Sequence, residues 1–230
     1  MNRRTWQSFE EMLKAAQDGD PQAQCYLGVC YQTGQGVPLD YREAVKWFRK
    51  SADQNDPVAQ CYLGVCYQSG LGVPQEFGQA ARWFREAAEQ DDPAAQFNLG
   101  VLYETGQGVP QNYAEALKWY HAAAERGEPQ AQFNLGVFYE QGHVVEQNYE
   151  EAVKWYRCAA EQEVGPAQCN LGLCYQTGRG VEKDTREAVR WFIRAARQGD
   201  KTAQHNLGVH YSNLETAGQA EPEETAGEAV

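Results

Sequence analysis

Ala95-Gln96-Phe97-Asn98-Leu99-Gly100-Val101-Leu102-Tyr103 decides the fold, because its frame Ala-Gln-x-x-Leu-Gly-x-x-Tyr also opens at Ala23, Ala59, Ala131, Ala167 and Ala203, a constant step of 36 residues. A period of that size marks a solenoid: one supersecondary unit cannot bury its own apolar face, so copies stack and cover one another. Each period reads as a helix A, a glycine-rich loop and a helix B. In the first copy helix A runs from about Pro21 to Gln32, and Gly34 and Gly36 end it, as Gly70 and Gly72, Gly106 and Gly108, or Gly178 and Gly180 do later. A nucleotide-binding loop would follow a β-strand, and nothing in this chain reads as one, so these glycines are not a phosphate cradle.

Helix B opens on Asp40 with Glu43, Asn112 with Glu115, Asn148 with Glu151 or Asp184 with Glu187, the pattern of a capping box. The second copy has Glu76 and Gln79 there and is expected to start less firmly. Tyr41, Ala44, Val45, Trp47, Phe48 and Ala52 form a wide apolar stripe at three- and four-residue steps. The tryptophans at 47, 83, 119, 155 and 191, each followed by Phe or Tyr, read as core at this spacing rather than as a ligand box. Glu43 with Lys46, Arg49 with Asp53, Arg85 with Glu89 and Arg157 with Glu161 sit three or four apart and read as ion pairs on a solvated face. Pro57, Pro93 and Pro129 then occupy the first turn of the next helix A, where proline is tolerated.

Trp6, Phe9, Met12, Leu13, Ala15 and Ala16 line up with the second half of a repeat, so residues 1–22 are expected to form an N-terminal capping half-repeat. Residues 23–212 hold five full repeats and a terminal helix A, Ala203 to about Ser212, that lacks its own helix B. In the fourth copy Val144 and Glu146 stand where the others have glycine and proline, and that loop is expected to take another path. Residues 213–230 are short of apolar mass and net acidic, and are expected to be a disordered tail.

With 20 Lys and Arg against 32 Asp and Glu, the net charge of −12 argues against nucleic acid held by counterion release. No apolar run approaches the ~20 residues needed to cross a bilayer, so no membrane insertion is expected. The first residues carry no apolar core of a secretory signal, although a trimmed leader would leave the same sequence. Six of the seven cysteines fall in three C-x4-C pairs, Cys25 with Cys30, Cys61 with Cys66 and Cys169 with Cys174; Cys158 stands apart. Five residues on a helix is roughly 140° of rotation, so the two sulfurs of a pair point to different faces and neither bridge nor share a metal. Equivalent positions carry Phe97 and Leu102, or Phe133 and Phe138, which makes these thiols small apolar packers. Unbridged thiols favour a reducing, cytoplasmic setting.

The repeat from Ala95 to Pro129, through its Leu-Gly-x-x-Tyr, its Gly-x-Gly-Val and its Glu-Ala followed by Trp, resembles the Sel1-like repeat family, relatives of tetratricopeptide repeats. The resemblance covers about Ala15 to Ser212 and implies an all-α, right-handed superhelical solenoid serving as an adaptor or scaffold for protein complexes. In cysteine-rich members helices A and B are stapled by disulfides and penicillin binding has been suggested. Here Cys158 is the one cysteine on any helix B, so this chain departs from that branch.

On helix A, Ala23, Leu27 and Tyr31 share the packing face, and Gly28 is expected to admit a neighbouring backbone. The opposite face, which lines the concave groove in tetratricopeptide relatives, supplies the candidate partner-binding residues. These are Cys25, Tyr26, Val29 and Gln32 in the first repeat, Tyr62 and Val65 in the second, and Phe97, Asn98, Val101 and Glu104 in the third. Phe133, Asn134, Val137, Glu140, Asn170 and Asn206 continue the face through the later copies. An asparagine amide both donates and accepts, which is what pairing with a partner's peptide groups requires. With helices A roughly 8–10 Å apart, an extended peptide rising about 3.3 Å per residue would meet an asparagine at about every third residue. The competing duty for those amides is to tie down neighbouring helix A backbones. No Ser-x-x-Lys and no clustered histidines are present, so no catalytic residue, metal site or cofactor is expected, and a hydrolase or penicillin-binding activity is a remote alternative. The expected partner is a protein or peptide segment, extended or helical. Self-assembly through open solenoid ends, giving a homo-oligomer, is the alternative.

Overall fold

The computed structural model describes residues 6 and 8–218, with side chains to residue 212, and these contain twelve helices and no strand. They fall in two compact units, Met1–Leu135 and Gly136–Val230. The first holds α1 (Phe9–Gln17) and the pairs α2 (Pro21–Thr33) with α3 (Tyr41–Ala52), α4 (Pro57–Ser69) with α5 (Phe77–Ala88), and α6 (Pro93–Thr105) with α7 (Tyr113–Glu125). The second holds α9 (Tyr149–Glu161), α10 (Gly165–Thr177), α11 (Thr185–Arg197) and α12 (Lys201–Gly218), while α8 (Pro129–Gln141) contributes residues to both. Helices adjacent in sequence pack on each other, α2 on α3, α3 on α4 and α4 on α5, and within the second unit α9 on α10, α10 on α11 and α11 on α12. The chain is therefore an all-α repeat solenoid. At the start of the first unit α1 packs on α2 through the buried Met12 and Ala16.

Local chemistry sets the helix ends. Asp20, Asp56 and Asp92 cap the first three A helices, each with proline in the first turn, and glycines in the left-handed region, such as Gly34 at φ 73°, close them. Position 214, where the other copies carry that glycine, is a leucine, and α12 runs past the expected end at Ser212 to Gly218. The rest of the acidic tail, 219–230, lies outside the described residues. Asp40, Asn112, Asn148 and Asp184 each accept two backbone N–H groups at the start of a helix B, and Glu76 accepts none from its side chain, as its sequence implied.

The reciprocal half of the capping box does not form. The cap N–H groups of Asp40, Glu76, Asn112, Asn148 and Asp184 donate instead to the carbonyls of Tyr31, Tyr67, Tyr103, Tyr139 and Tyr175, at 2.8–3.0 Å. With that donor already satisfied, Glu43 and Glu151 turn outward to Lys46 and Lys154. The fourth loop closes with the same backbone bond although Val144 stays out of the left-handed region, so its departure is confined to the turn. Elsewhere the second loop glycine is required by crowding: a Cβ on Gly72 would lie 2.2 Å from the Tyr41 carbonyl oxygen.

Each repeat is held by a ring on bare backbone. A Cβ built on Gly28, Gly64, Gly100, Gly136 or Gly172 would fall 2.4–2.7 Å from a ring carbon of Phe48, Phe84, Tyr120, Tyr156 or Phe192. The glycine thus admits a helix B side chain, not the neighbouring backbone that the sequence suggested. Those five rings and the leucines 27, 63, 99, 135 and 171 are buried to 1% exposure or less. The tryptophans sit half-buried at the cluster edges, and Lys50 lies 3.8 Å over the ring of Trp47.

Two side-chain bonds join one repeat to the next. The glutamine of every Ala-Gln pair donates to a last-turn carbonyl of the preceding helix eight residues back, Gln24 to Ala16, Gln60 to Ala52, Gln96 to Ala88 and Gln168 to Ala160, satisfying groups a helix end leaves open. Arg49, Arg85 and Arg157 donate to the hydroxyls of Tyr67, Tyr103 and Tyr175 on the following helix A at 2.5–2.9 Å. The ion pairs expected with Asp53, Glu89 and Glu161 are replaced by these bonds, since the guanidinium reaches across the repeat boundary rather than along its own helix.

The seven cysteines are free, and all but Cys158 are buried. The Cys25 thiol is pushed up to about 12 by burial and by Asp56, and the Cys61 thiol is raised chiefly by burial and then by the cap carboxylate Asp92. Asp92 is itself raised, first by burial and then by Asp56, and Glu128 is raised by burial and by Asp92. A carboxyl raised on folding holds its proton more tightly in the folded chain, so its contribution falls as the pH rises through that pKa. Asp92→Asn keeps an equivalent cap and removes the charge. We expect its melting temperature to exceed the parent's near neutral pH, with the gap closing as acid protonates Asp92 in the parent; a gap that does not vary with pH would refute this. Gly64→Ala should cost about 1–3 kcal/mol through the ring it displaces, whereas Gly208→Ala, with nothing within 4 Å of the added carbon, should be neutral or stabilising by up to about 1 kcal/mol. Urea unfolding of both variants checks the contrast.

Candidate functional site

The candidate face of the A helices carries a row of partly exposed side chains in each unit. In the first unit Tyr26 is 49% exposed, and the ring of Trp6 lies 5.8 Å from it. Val29, Gln32, Tyr62, Val65, Phe97, Asn98, Val101, Glu104, Phe133 and Asn134 are half-buried along the same face. Cys25 is buried and belongs to the core beneath, so it is not part of the open surface. In the second unit Val137, Glu140, Asn170 and Asn206 are half-buried. The valines and rings offer apolar contact, and the amides and carboxylates supply the polar groups between them.

The asparagine ladder is not uniform. Tyr62 occupies its second rung and stacks on Phe48, centroids 4.9 Å apart with planes 7° from parallel. The Asn98 amide donates to the carbonyl of Ala94 on its own helix at 2.8 Å. The Tyr120 hydroxyl donates to Glu104 Oε2 at 2.5 Å, with the Asn134 amide beside it. The second unit repeats the arrangement with Asn170, Tyr156 and Glu140. Burial, with these carboxylates second, drives both tyrosine hydroxyls far above their ordinary pKa, so they remain donors at any physiological pH. Asn206 Nδ2 is buried without a partner; the repeat position that supplies the hydroxyl elsewhere is Phe192 there. Asn134 and Asn170 therefore stand beside buried hydroxyls, whereas the Asn98 amide turns back onto its own helix.

A signal for these triads lies in the sequence. Where helix B carries phenylalanine, at 48, 84 and 192, the matching helix A position is Gln32, Gln68 or Gln176; where it carries Tyr120 or Tyr156, that position is Glu104 or Glu140. Comparing each position only with its own copies hides the pairing. Among the described residues no group of three or more His, Cys, Asp or Glu side chains could hold a metal ion, and no helix is long and apolar enough to cross a membrane.

A family model described as Sel1 repeat matches residues 21–56, 57–92, 93–128, 129–164 and 165–200. These copies open where the A helices open, two residues ahead of the Ala-Gln frame. No curated protein matches the chain. Among solved structures, a Sel1 repeat protein from Oxalobacter formigenes is 39% identical with a TM-score of 0.80, over 90% of this chain and 82% of that one. A protective antigen of uropathogenic Escherichia coli displaying an SLR fold is 36% identical with a TM-score of 0.82, over 94% of this chain. The present chain spans 45% of that antigen's length. An immunity protein from Pseudomonas aeruginosa, 23% identical over 84% of this chain and 74% of its own with a TM-score of 0.55, shares the fold alone. With five consecutive repeats matched end to end and the helix pairing of its structural relatives, the chain belongs to the Sel1 repeat family.

Proposed function

We propose that the wall of the A helices is a groove that holds an extended or helical segment of a partner protein. Sel1-repeat proteins are generally protein-interaction scaffolds, and the family is typically non-catalytic. The observation that carries the reading is the first unit's wall, where Tyr26, Val29, Tyr62, Val65, Asn98 and Val101 keep solvent-facing surface on three successive A helices. Rigid aromatic and aliphatic side chains interspersed with amides suit recognition of a peptide, in which apolar contact supplies affinity and the amides pair with main-chain groups. Asn98 is the amide best placed for such exchange, because its present bond is to its own helix and can be traded at little cost.

Replacing Tyr26 and Asn98 together by alanine should weaken capture of peptides from an array by about tenfold or more while leaving the melting temperature within about 2 °C. Unchanged capture would move the binding surface elsewhere.

A second reading, association of copies through α12, is favoured by one observation. Gly208 repeats the glycine that receives a ring in five other copies, yet among the described residues nothing covers it, and Val209 and Tyr211 are 44% and 50% exposed. A second copy could supply a helix there in the role of a helix B. Light scattering over a dilution series should then show mass falling with concentration, and Gly208→Trp should suppress the larger species; a monomer at every concentration removes this reading.

A further inference from the structure

Charge is sorted between the two kinds of helix. Arg42, Lys46, Arg49 and Lys50 lie on α3, Arg82 and Arg85 on α5, and Lys118 on α7, whereas α2, α4, α6, α8 and α10 contain no lysine, arginine or histidine. The wall is built from cation-free helices. In the first unit it carries the carboxylate of Glu104 among Val101, Phe97 and Asn98, and the cap carboxylates Asp56, Asp92 and Glu128 stand at the N-terminal ends of the same helices.

Glu104 is held in an unusual way for a half-exposed glutamate. One oxygen accepts from the buried Tyr120 hydroxyl, so the carboxylate is pinned from below. A glutamine would meet the same need, since its amide oxygen accepts a hydroxyl equally well. The negative charge therefore goes beyond what the hydroxyl requires. Among the described residues nothing hydrogen-bonds Oε1 of Glu104, and the A helices around it supply no cation to pair with the carboxylate.

We propose that the groove selects a peptide segment carrying a lysine or arginine, whose cationic head pairs with Glu104 while its stem lies along Val101 and Phe97. This rests on the wall being the peptide-binding surface. Tyr120 is a positioning residue that holds the carboxylate, and it does not touch the ligand. A charge-assisted bond to a pre-held carboxylate strengthens as neighbouring apolar groups exclude water.

The test is a random peptide library displayed on phage and panned against the full chain, in parallel with Glu104→Gln, which keeps the acceptor for Tyr120 and should fold like the parent. The parent should enrich peptides with a lysine or arginine at one fixed place in their consensus. A selected peptide should lose about tenfold or more in affinity when that residue becomes an uncharged isostere, and Glu104→Gln should lose both the enrichment and that difference at an unchanged melting temperature. Tyr120→Phe, which frees the carboxylate, should keep the preference for a cation but with weaker discrimination. Peptides that depend on Tyr26 and Asn98 yet show no cationic preference, or a preference that survives Glu104→Gln, would overturn the inference and leave the groove standing. Failure of the parent to enrich any peptide would overturn both.

Discussion

Everything in this fold hangs on an aromatic ring lying on a stretch of helix that has no side chain. Because Gly64 lacks a Cβ, the ring of Phe84 reaches van der Waals distance of the helix A backbone, and the two axes of a repeat come closer than any larger residue would allow. That contact fixes the spacing within a repeat. The glutamine of the Ala-Gln pair fixes the spacing to the repeat before, by finishing the hydrogen bonding of a helix end that would otherwise need water. Between them, an apolar contact and a polar one make each repeat fit its neighbours on both sides.

The same ring links the interior to the surface. Its far edge reaches the root of the A-helix wall, where phenylalanine and tyrosine meet different groups. Phe48 stacks with Tyr62, whereas Tyr120 brings a hydroxyl that donates to Glu104. A core substitution of a single oxygen atom thus changes the charge and the hydrogen-bonding character of the exposed face. Repeats that look interchangeable in their packing are in this way distinct in what they present to solvent.

The period, the helix pairs, the caps and the buried status of the paired cysteines were all legible in the sequence, because each follows from local chemistry repeated in register. What was not legible depended on neighbours 16 to 35 residues away. The guanidinium of Arg49 chooses Tyr67 over the acid on its own helix, and nothing in a helical wheel reveals that. The capping-box glutamates turned outward because a loop carbonyl had already taken the donor they were to serve. At the wall most of the named side chains keep solvent-facing surface, but Cys25 sits beneath it, and the tie between Glu104 and Tyr120 joins two helices that no single position of the repeat reveals.

Near-identity between copies carries a hazard, and one small irregularity bears on it. Helices α2 and α4 share Ala-Gln-Cys-Tyr-Leu-Gly-Val-Cys-Tyr-Gln, so either could receive the ring meant for the other during folding. Most rungs between copies are alike, Gln54 bonding Gln24 and Gln90 bonding Gln60, but at the third copy the rung is Arg126, which reaches Asp91 and leaves Gln96 Oε1 without a partner. An ion pair at this junction sets it apart from its neighbours, whose rungs join amide to amide. The oxygen left over on Gln96 marks the same junction from the inside.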